Sequence, residues 1–305
     1  MVQQSNEVPS VKIRFWGVRG SIASPGPNTV RYGGNTSCIQ VTTDAGDQII
    51  LDAGTGIRGV GMELMKNLPA KCSIFISHTH WDHIQGLPFF IPMFVPGNEI
   101  DLYGGADPVS RLDLKEVLNR QMEYAYFPVR QAELKASIEH FNVKDSDEIQ
   151  VGSATVKCVL MNHPVLTFGF LVKADGKSVF FTGDHEDPYN IYEPEDDFYE
   201  EYESLIAQKS EAIIGPVRGV DVLIGDSSYT KDEYPAKIGW GHNTFEKCIA
   251  MANNAGAKKL FFTHHEPNRT DDQLEAIIDD LRTRFPKEDG NPELAVAQEG
   301  LEIVL

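Results

Sequence analysis

The sequence predicts an α/β protein in which helices cover two β-sheets. Short β-rich runs recur along most of the chain, and two amphipathic helices with clear capping signals lie among the later runs. The 305 residues contain no internal repeat and no Gly/Ser-rich linker, so we expect a single domain over residues 1–305. Apolar residues make up 41% of the chain, which is enough for a sizeable core.

The strand predictions rest on alternating or β-branched runs that end at turn residues. Residues 11–15 alternate apolar with basic side chains, whereas residues 72–76 form a run of the buried-strand type, apolar except for Ser73. The other predicted strands are 38–42, 48–51, 99–103, 154–161, 168–172, 178–181, 220–224 and 259–262. Residues 87–96 are apolar but include three prolines, which predicts a buried loop or a broken helix.

Capping signals and apolar stripes indicate two helices. The first is predicted to begin at Asn243, with an acidic residue three positions later, and to end at Gly256. The second is predicted to begin at Thr270, with Gln273 at the capping-box position. We expect both apolar stripes to face the core.

An unusual segment begins at residue 186. Residues 186–203 include nine acidic and five aromatic residues but no Lys or Arg, and we interpret the region up to about residue 215 as an insertion. Two interpretations stay open. The insertion is either solvated, or it is a lid or a self-association surface that would make the protein a homodimer.

The charge balance excludes some functions. Lys and Arg number 27 against 45 Asp and Glu, a net charge of −18, so we expect no stable binding to duplex nucleic acid.

No apolar run approaches the roughly 20 residues that cross a bilayer, so no membrane association is predicted. Residues 1–10 lack a signal-peptide pattern, and the four cysteines form no CxxC pair. Both features predict reduced thiols and a cytoplasmic location.

Seven of the nine histidines fall in four short motifs that follow predicted strands. The most specific motif is His78-Thr79-His80-Trp81-Asp82-His83. His78 and His80 are two residues apart, so in extended backbone they point the same way and can bind one metal ion. Asp82 and His83 follow at an expected turn of the chain, so their side chains should point to a position next to this first site. Because burying these groups without a metal is costly, the motif predicts metal ligands.

Further ligands are expected at the ends of three later strands. The candidates are His163 in Met161-Asn-His-Pro, Asp184 in Phe181-Thr-Gly-Asp, and His264 in Phe262-Thr-His-His. The two oxygens of a carboxylate such as Asp184 can bridge two cations. Nitrogen and carboxylate ligands without thiolate suit Zn²⁺, with Mn²⁺ or Fe as alternatives.

The HxHxDH motif and the ordered series His163, Asp184 and His264 resemble the metallo-β-lactamase superfamily over about residues 11–285. The resemblance implies an αββα sandwich with two divalent metal ions at the sheet ends. Carried over position by position, it implies that the ligands are His78, His80 and His163 for the first metal, Asp82, His83 and His264 for the second, and Asp184 as the bridge.

Two assignments from the resemblance concern single positions. His265 competes with His264 for the last ligand position, and we prefer His264 because it directly follows Thr263, as in RNase Z-like members. Asp52, in Leu51-Asp-Ala-Gly, matches the aspartate that orients ligands in the family.

Two further motifs resemble the RNase Z and small phosphodiesterase branch. These are Gly239-Trp-Gly-His242-Asn-Thr and Ile224-Gly-Asp226-Ser-Ser-Tyr. The resemblance implies that His242 stabilises the phosphoryl group or protonates the leaving oxygen, and that Asp226 orients His242. The chain departs from the branch in having Asn243 where Ser is usual, and Asp226 where RNase Z has Glu.

Three residues near the N-terminus are candidates for substrate contact. Arg19 and Arg31 lie in glycine-containing stretches that resemble those of a bacterial phosphodiesterase-like subgroup, and we expect them to contact phosphate. Asn35, in the stretch that contains Arg31, is expected to approach the site because neighbouring glycines permit close approach.

These observations predict a dinuclear metal-dependent hydrolase. The favoured function is a phosphodiesterase that cleaves a small phosphodiester, with a cyclic nucleotide among the candidates, by a metal-bridged hydroxide; Asp82, His242 and Asp226 are its expected catalytic residues. An RNase Z-like RNA-processing nuclease is the alternative within the branch, and the net charge of −18 argues against it. A thioesterase or lactonase would leave His242 without a role. A binding protein without turnover is disfavoured by the complete ligand set.

Overall fold

The structure of the protein is a computed structural model that describes residues 10–287 and 290–305. The predicted absence of a signal peptide concerns residues 1–10, of which 1–9 lie outside the described residues. The strands are β1 (Lys12–Gly17), β2 (Cys38–Thr42), β3 (Gln48–Leu51), β4 (Lys71–Ile76), β5 (Glu99–Gly104), β6 (Ser137–Asn142), β7 (Glu148–Val151), β8 (Ala154–Leu160), β9 (Phe168–Ala174), β10 (Lys177–Phe181), β11 (Val222–Asp226), β12 (Lys259–Thr263), β13 (Glu293–Val296) and β14 (Glu302–Val304). The α-helices are α1 (Ile57–Leu64), α2 (Trp81–Ile84), α3 (Leu114–Gln121), α4 (Tyr199–Val217), α5 (Phe245–Ala255) and α6 (Asp271–Arg284).

The strands form two mixed sheets of seven strands each. The first sheet has the order β14-β1-β2-β3-β4-β5-β6, and the second has the order β13-β12-β11-β10-β9-β8-β7. Strands β3 to β6 are mutually parallel, and so are β10 to β13. In both sheets, therefore, several strands end at the same edge, and the loops that follow them meet there.

The fold has four layers, which are the two sheets and the helices on the outer face of each sheet. Three apolar clusters join these layers. One cluster fills the space between the sheets and includes Phe15, Phe75, Phe170 and Phe261. A second cluster joins the outer face of the second sheet to α4, α5 and α6, and a third joins the outer face of the first sheet to α1 and α3. The predicted α/β fold with two helix-covered sheets is thereby confirmed.

The predicted strands are confirmed to within one or two residues at most ends. Residues 87–96 form two short 3₁₀ turns, Leu87–Phe89 and Ile91–Phe94, which agrees with the predicted broken helix. The predicted capping box of α6 at Thr270 is present. The predicted cap of α5 is wrong by one residue. Thr244 accepts the hydrogen bond from the Lys247 N–H, because the Asn243 side chain is bound to Asp187 instead.

Sequence patterns did not predict four helices and four strands. Helices α1 and α3 have only eight residues each and α2 only four, and α4 lacks a strong apolar stripe; β6, β7, β13 and β14 are short or largely exposed. The four cysteines are buried and unpaired, as predicted. Within the described ranges, we find no helix that is both long and apolar enough to cross a bilayer.

Candidate metal centre

The predicted ligands converge because they follow strands that end at the same sheet edges. The motif 78–83 follows β4 in the first sheet, and Asp184 and His264 follow β10 and β12 in the second. His163 follows β8, which runs in the same direction as β10 because β9 is antiparallel to both. The two sheets therefore contribute ligands to one buried point.

The first group of ligand atoms comprises His78, His80, His163 and Asp184. His78 Nε2 lies 2.9 Å from His80 Nδ1, and His163 Nε2 lies 3.3 Å from the same atom. The Oδ2 atom of Asp184 lies 3.5 Å from His78 Nε2 and 3.8 Å from His163 Nε2. Three imidazoles and one carboxylate oxygen thus face one another.

The second group comprises Asp82, His83, Asp184 and His264. Asp82 Oδ2 lies 3.1 Å from His264 Nε2 and 3.3 Å from His83 Nε2. Asp184 Oδ1 lies 3.1 Å from His83 Nε2 and 3.2 Å from His264 Nε2. Asp184 therefore offers one oxygen to each group.

The spacing of both groups fits divalent cations. Four ligands at zinc distances in a tetrahedron lie about 3.3–3.4 Å apart, close to the separations found here. His83 Nε2 and Asp184 Oδ1 are buried atoms without a hydrogen-bond partner among the described residues. An unpartnered buried polar atom is costly, and a cation between these atoms would satisfy both.

Asp52 and Ser77 both contact the imidazole of His83, a candidate ligand of the second group. Asp52 Oδ2 lies 2.6 Å from His83 Nδ1, and Asp52 Oδ1 accepts a hydrogen bond of 2.7 Å from the Ser77 N–H. The bond to Nδ1 leaves Nε2 of His83 directed at the second group, which is the geometry that the predicted orienting role of Asp52 requires. Asp52 reaches this position through a left-handed backbone conformation with φ of 64°.

The two groups differ in their electrostatics. Burial lowers the pKa of His78, His80 and His163, that of His163 to about 4, so these imidazoles are neutral near pH 7. Burial also opposes the charged form of His264, but Asp184 and Asp82 outweigh it and raise its pKa to about 9. Without a cation, His264 therefore holds a proton where the second group would hold a metal ion.

His242 and Asp226 form a pair beside these groups. His242 Nδ1 lies 2.8 Å from Asp226 Oδ2, and His242 lines a cavity of about 440 Å³ together with Asp184, His80 and Trp81. Burial lowers the pKa of His242, yet the carboxylates of Asp226 and Asp184 raise it by more, so its net pKa lies above the ordinary value. The shorter Asp side chain thus reaches the histidine.

Sequence reasoning missed Glu186, which holds the loop that carries His242. The Glu186 carboxylate is buried and accepts hydrogen bonds from the N–H groups of Gly239 (2.9 Å) and Gly241 (2.8 Å) and from the Tyr234 hydroxyl (2.7 Å). The carbonyl of Gly241 in turn contacts His163 Nδ1 at 2.9 Å. Its position in an acidic run concealed this role.

The remainder of the acidic segment is largely exposed. Ile191 and Phe198 are 63% and 59% exposed, and the first half of α4 presents mainly acidic and polar side chains. Residues 190–210 therefore lie at the surface of the chain, as both interpretations of the insertion require, whereas Glu186 and Asp187 bind the loop before α5.

Three predicted substrate contacts are not brought to the cavity, and we correct their roles. Arg19 is fully buried, and its guanidinium donates to the carbonyls of Gly33, Glu266 and Arg269. Arg31 forms surface ion pairs with Asp272 and Glu275. Asn35 donates through its side chain to Glu299. Arginines and amides beside glycines bind backbone carbonyls and carboxylates as readily as phosphate, so the sequence pattern could not separate these roles.

The competing ligand candidate His265 lies away from both groups. Its Nε2 contacts the carbonyl of Ala297 at 3.0 Å, and burial lowers its pKa to about 3. His264 has a left-handed backbone conformation with φ of 59°, which turns its side chain to Asp82 and Asp184.

Comparisons with known proteins agree with the observed fold. The family described as the beta-lactamase superfamily domain matches residues 47–265. A ribonuclease Z of Haloarcula marismortui is 24% identical, over 96% of this chain and 96% of its own. Among solved structures, a diphosphatase of the PhnP family is similar with a TM-score of 0.65 at 18% identity (96% and 97% of the two chains). Unliganded yeast PDE1 is similar with a TM-score of 0.64 at 16% identity (97% and 100%).

Proposed function

This chain belongs to the metallo-β-lactamase superfamily and is a metal-dependent hydrolase, and on that basis we propose that it is a dinuclear phosphodiesterase for small phosphodiesters. Zinc is the proposed metal, because both groups offer only imidazole nitrogens and carboxylate oxygens at tetrahedral spacing. When bound, two such cations activate a water molecule and neutralise charge on the phosphoryl oxygens.

The observation that carries the proposal is the His242–Asp226 pair beside the bridging carboxylate. Because Nδ1 of His242 is bound to Asp226, Nε2 is the nitrogen left for a substrate oxygen. His242 Nδ1 also lies 3.9 Å from Asp184 Oδ2, so the ring stands beside both ligand groups. A protonated imidazole in this position would donate its proton to the leaving oxygen of a phosphodiester.

The cavity supports a small substrate. Its volume of about 440 Å³ lies in the range of small-molecule sites. The net charge of −18 opposes a long polyanion, whereas a single phosphodiester needs only local neutralisation by the cations. The names of the similar proteins, ribonuclease Z, a diphosphatase and a phosphodiesterase, all denote cleavage of phosphate esters or anhydrides.

RNA processing is the second candidate function, and the similarity to ribonuclease Z over 96% of the chain favours it. It requires a surface that binds a structured RNA, for which the acidic chain offers little charge. Binding of tRNA that weakens as salt rises, together with its cleavage, would favour this candidate over the small-substrate one.

The test uses metal-loaded protein and bis(p-nitrophenyl) phosphate. We expect cleavage. For a phosphodiester with an alkoxide leaving group, which needs the proton, we expect His242→Ala to lower kcat by about 10²–10⁴-fold while the metal content stays unchanged. His140→Ala is the matched control, because His140 lies on β6 away from both ligand groups. Robust thioester or lactone turnover that is indifferent to His242→Ala would refute the phosphodiesterase proposal.

A further inference from the structure

Residues Gly20 and Ser21 touch two ligands of the second group from outside the strand ends. The Ser21 N–H donates a hydrogen bond of 2.7 Å to Asp82 Oδ2, the oxygen that faces His264 and His83. Gly20 lies against the His264 ring. A Cβ atom added at Gly20 would have three atoms of that ring within 2.8 Å.

The backbone around Gly20 is held firmly in this position. The Gly20 N–H donates to the His265 carbonyl at 3.0 Å, and the His265 N–H donates to the Val18 carbonyl at 2.9 Å. The buried Arg19 side chain donates to Gly33 O at 2.8 Å and to Arg269 O at 2.7 Å. Arg19 thus anchors this segment on the loop that follows His264.

Ser21 adopts a conformation that aims its N–H at Asp82. Its φ of 60° is in the left-handed region, which a non-glycine residue rarely occupies without support from its surroundings. A hydrogen bond to a ligating carboxylate fixes the carboxylate's orientation, and loss of such support typically weakens metal binding.

We propose that Gly20 and Ser21 are positioning residues that set the affinity of the second ligand group for its cation. The inference rests on the proposed dinuclear function. Because Gly20 has no side chain, the His264 ring can occupy the adjacent space. The hydrogen bond from the Ser21 N–H fixes the orientation of the Asp82 carboxylate. Neither residue contacts a ligand that belongs to the first group alone, so the first cation should bind independently of both.

The test is metal stoichiometry, measured by elemental analysis and by competition with a chromogenic chelator. We expect the wild-type protein to bind two zinc ions, and Gly20→Ala to retain the first while binding the second about 10–100-fold more weakly. Gly26→Ala is the matched control, because Gly26 lies on the same loop with no atom within 4 Å of an added Cβ. It should bind both ions normally.

The Ser21 contact has its own pair of variants. Ser21→Val disfavours the left-handed conformation and should lower the affinity for the second ion. Ser21→Gly keeps both the N–H and the conformation, so it should bind the second ion with wild-type affinity. The retained first ion reports that each variant is folded, because its ligands come from three distant segments.

The possible failures are distinguishable. Wild-type affinity for both ions in Gly20→Ala and Ser21→Val would overturn this inference and leave the proposed function untouched. A wild-type protein that binds two ions but does not cleave phosphodiesters would refute the proposed function, while the selective loss of the second ion in these variants would still support the positioning role.

Discussion

Replacing Asp226 with Asn tests whether the carboxylate keeps His242 protonated. Asp226 accepts hydrogen bonds from the Ser228 hydroxyl at 2.9 Å and the His185 N–H at 3.1 Å, in addition to its contact with His242. Ser228 Oγ also lies 2.8 Å from the His264 carbonyl. In the variant, the Ser228 hydroxyl can donate to the His264 carbonyl and accept a hydrogen bond from the introduced Asn amide. Asp226→Asn therefore removes the negative charge while the Ser228 hydroxyl keeps its hydrogen bonds.

The expected effect follows from the hydrogen bond that loses its charge. A hydrogen bond to a charged partner contributes about 1–2 kcal/mol more than a neutral one. Because a pKa change of one corresponds to about 1.4 kcal/mol, the pKa of His242 should fall by about one. The neighbouring carboxylates raise this pKa in the wild type, so the general acid of Asp226→Asn should lose its proton at lower pH.

The assay is the pH profile of kcat at saturating metal for a phosphodiester with an alkoxide leaving group, such as a cyclic nucleotide, because p-nitrophenolate leaves without needing a proton. A general acid must be protonated, so activity falls as pH rises through its pKa, and this fall should shift to lower pH by about one unit in the variant. Well above the wild-type midpoint, the variant should be about tenfold slower than wild type. Asp221→Asn is the control, because Asp221 precedes β11 and binds Lys258 at the opposite end of the strand. An unmoved profile, or one moved to higher pH, would refute the role assigned to Asp226.

Two further predictions concern the metal and the loop before α5. The affinity of the second ion should rise from pH 6 to pH 9, because the pKa of about 9 at His264 means that binding displaces a proton; a flat isothermal-titration series over this range would contradict the assignment. Glu186→Gln should lower the free energy of unfolding by about 1–3 kcal/mol, because an amide NH₂ cannot accept from the Gly241 N–H. Urea titration measures this change, with the exposed Glu195→Gln as control, and equal stability of the two variants would contradict it.

The convergence of the candidate ligands could be predicted from the sequence because each candidate ligand follows a strand that its local residue pattern predicts. The alternation of His78 and His80 and the apolar run before them are local signals, and parallel strands bring such positions to one edge. The choice of His264 over His265 could not be derived from spacing alone. It depends on the left-handed backbone at His264, which folding imposes.

The residues that sequence reasoning misassigned are those whose partners are distant in the chain. Arg19 is bound to carbonyls about 250 positions away, and Glu186 accepts from N–H groups more than 50 positions away. Neither pairing leaves a periodic or local pattern. Helix α4 was missed for a different reason. Only three of its residues are buried, so no apolar stripe marks it in the sequence.

The origin of the ligands in both sheets has a consequence for local unfolding. His78 follows β4 of the first sheet and Asp184 follows β10 of the second, and both face the same ligand group. Bound ions would therefore join the sheets into one cooperative unit, in which neither sheet opens without releasing an ion. Amide hydrogen exchange of β4 and β12 should accordingly slow together when zinc is added to the chelated protein.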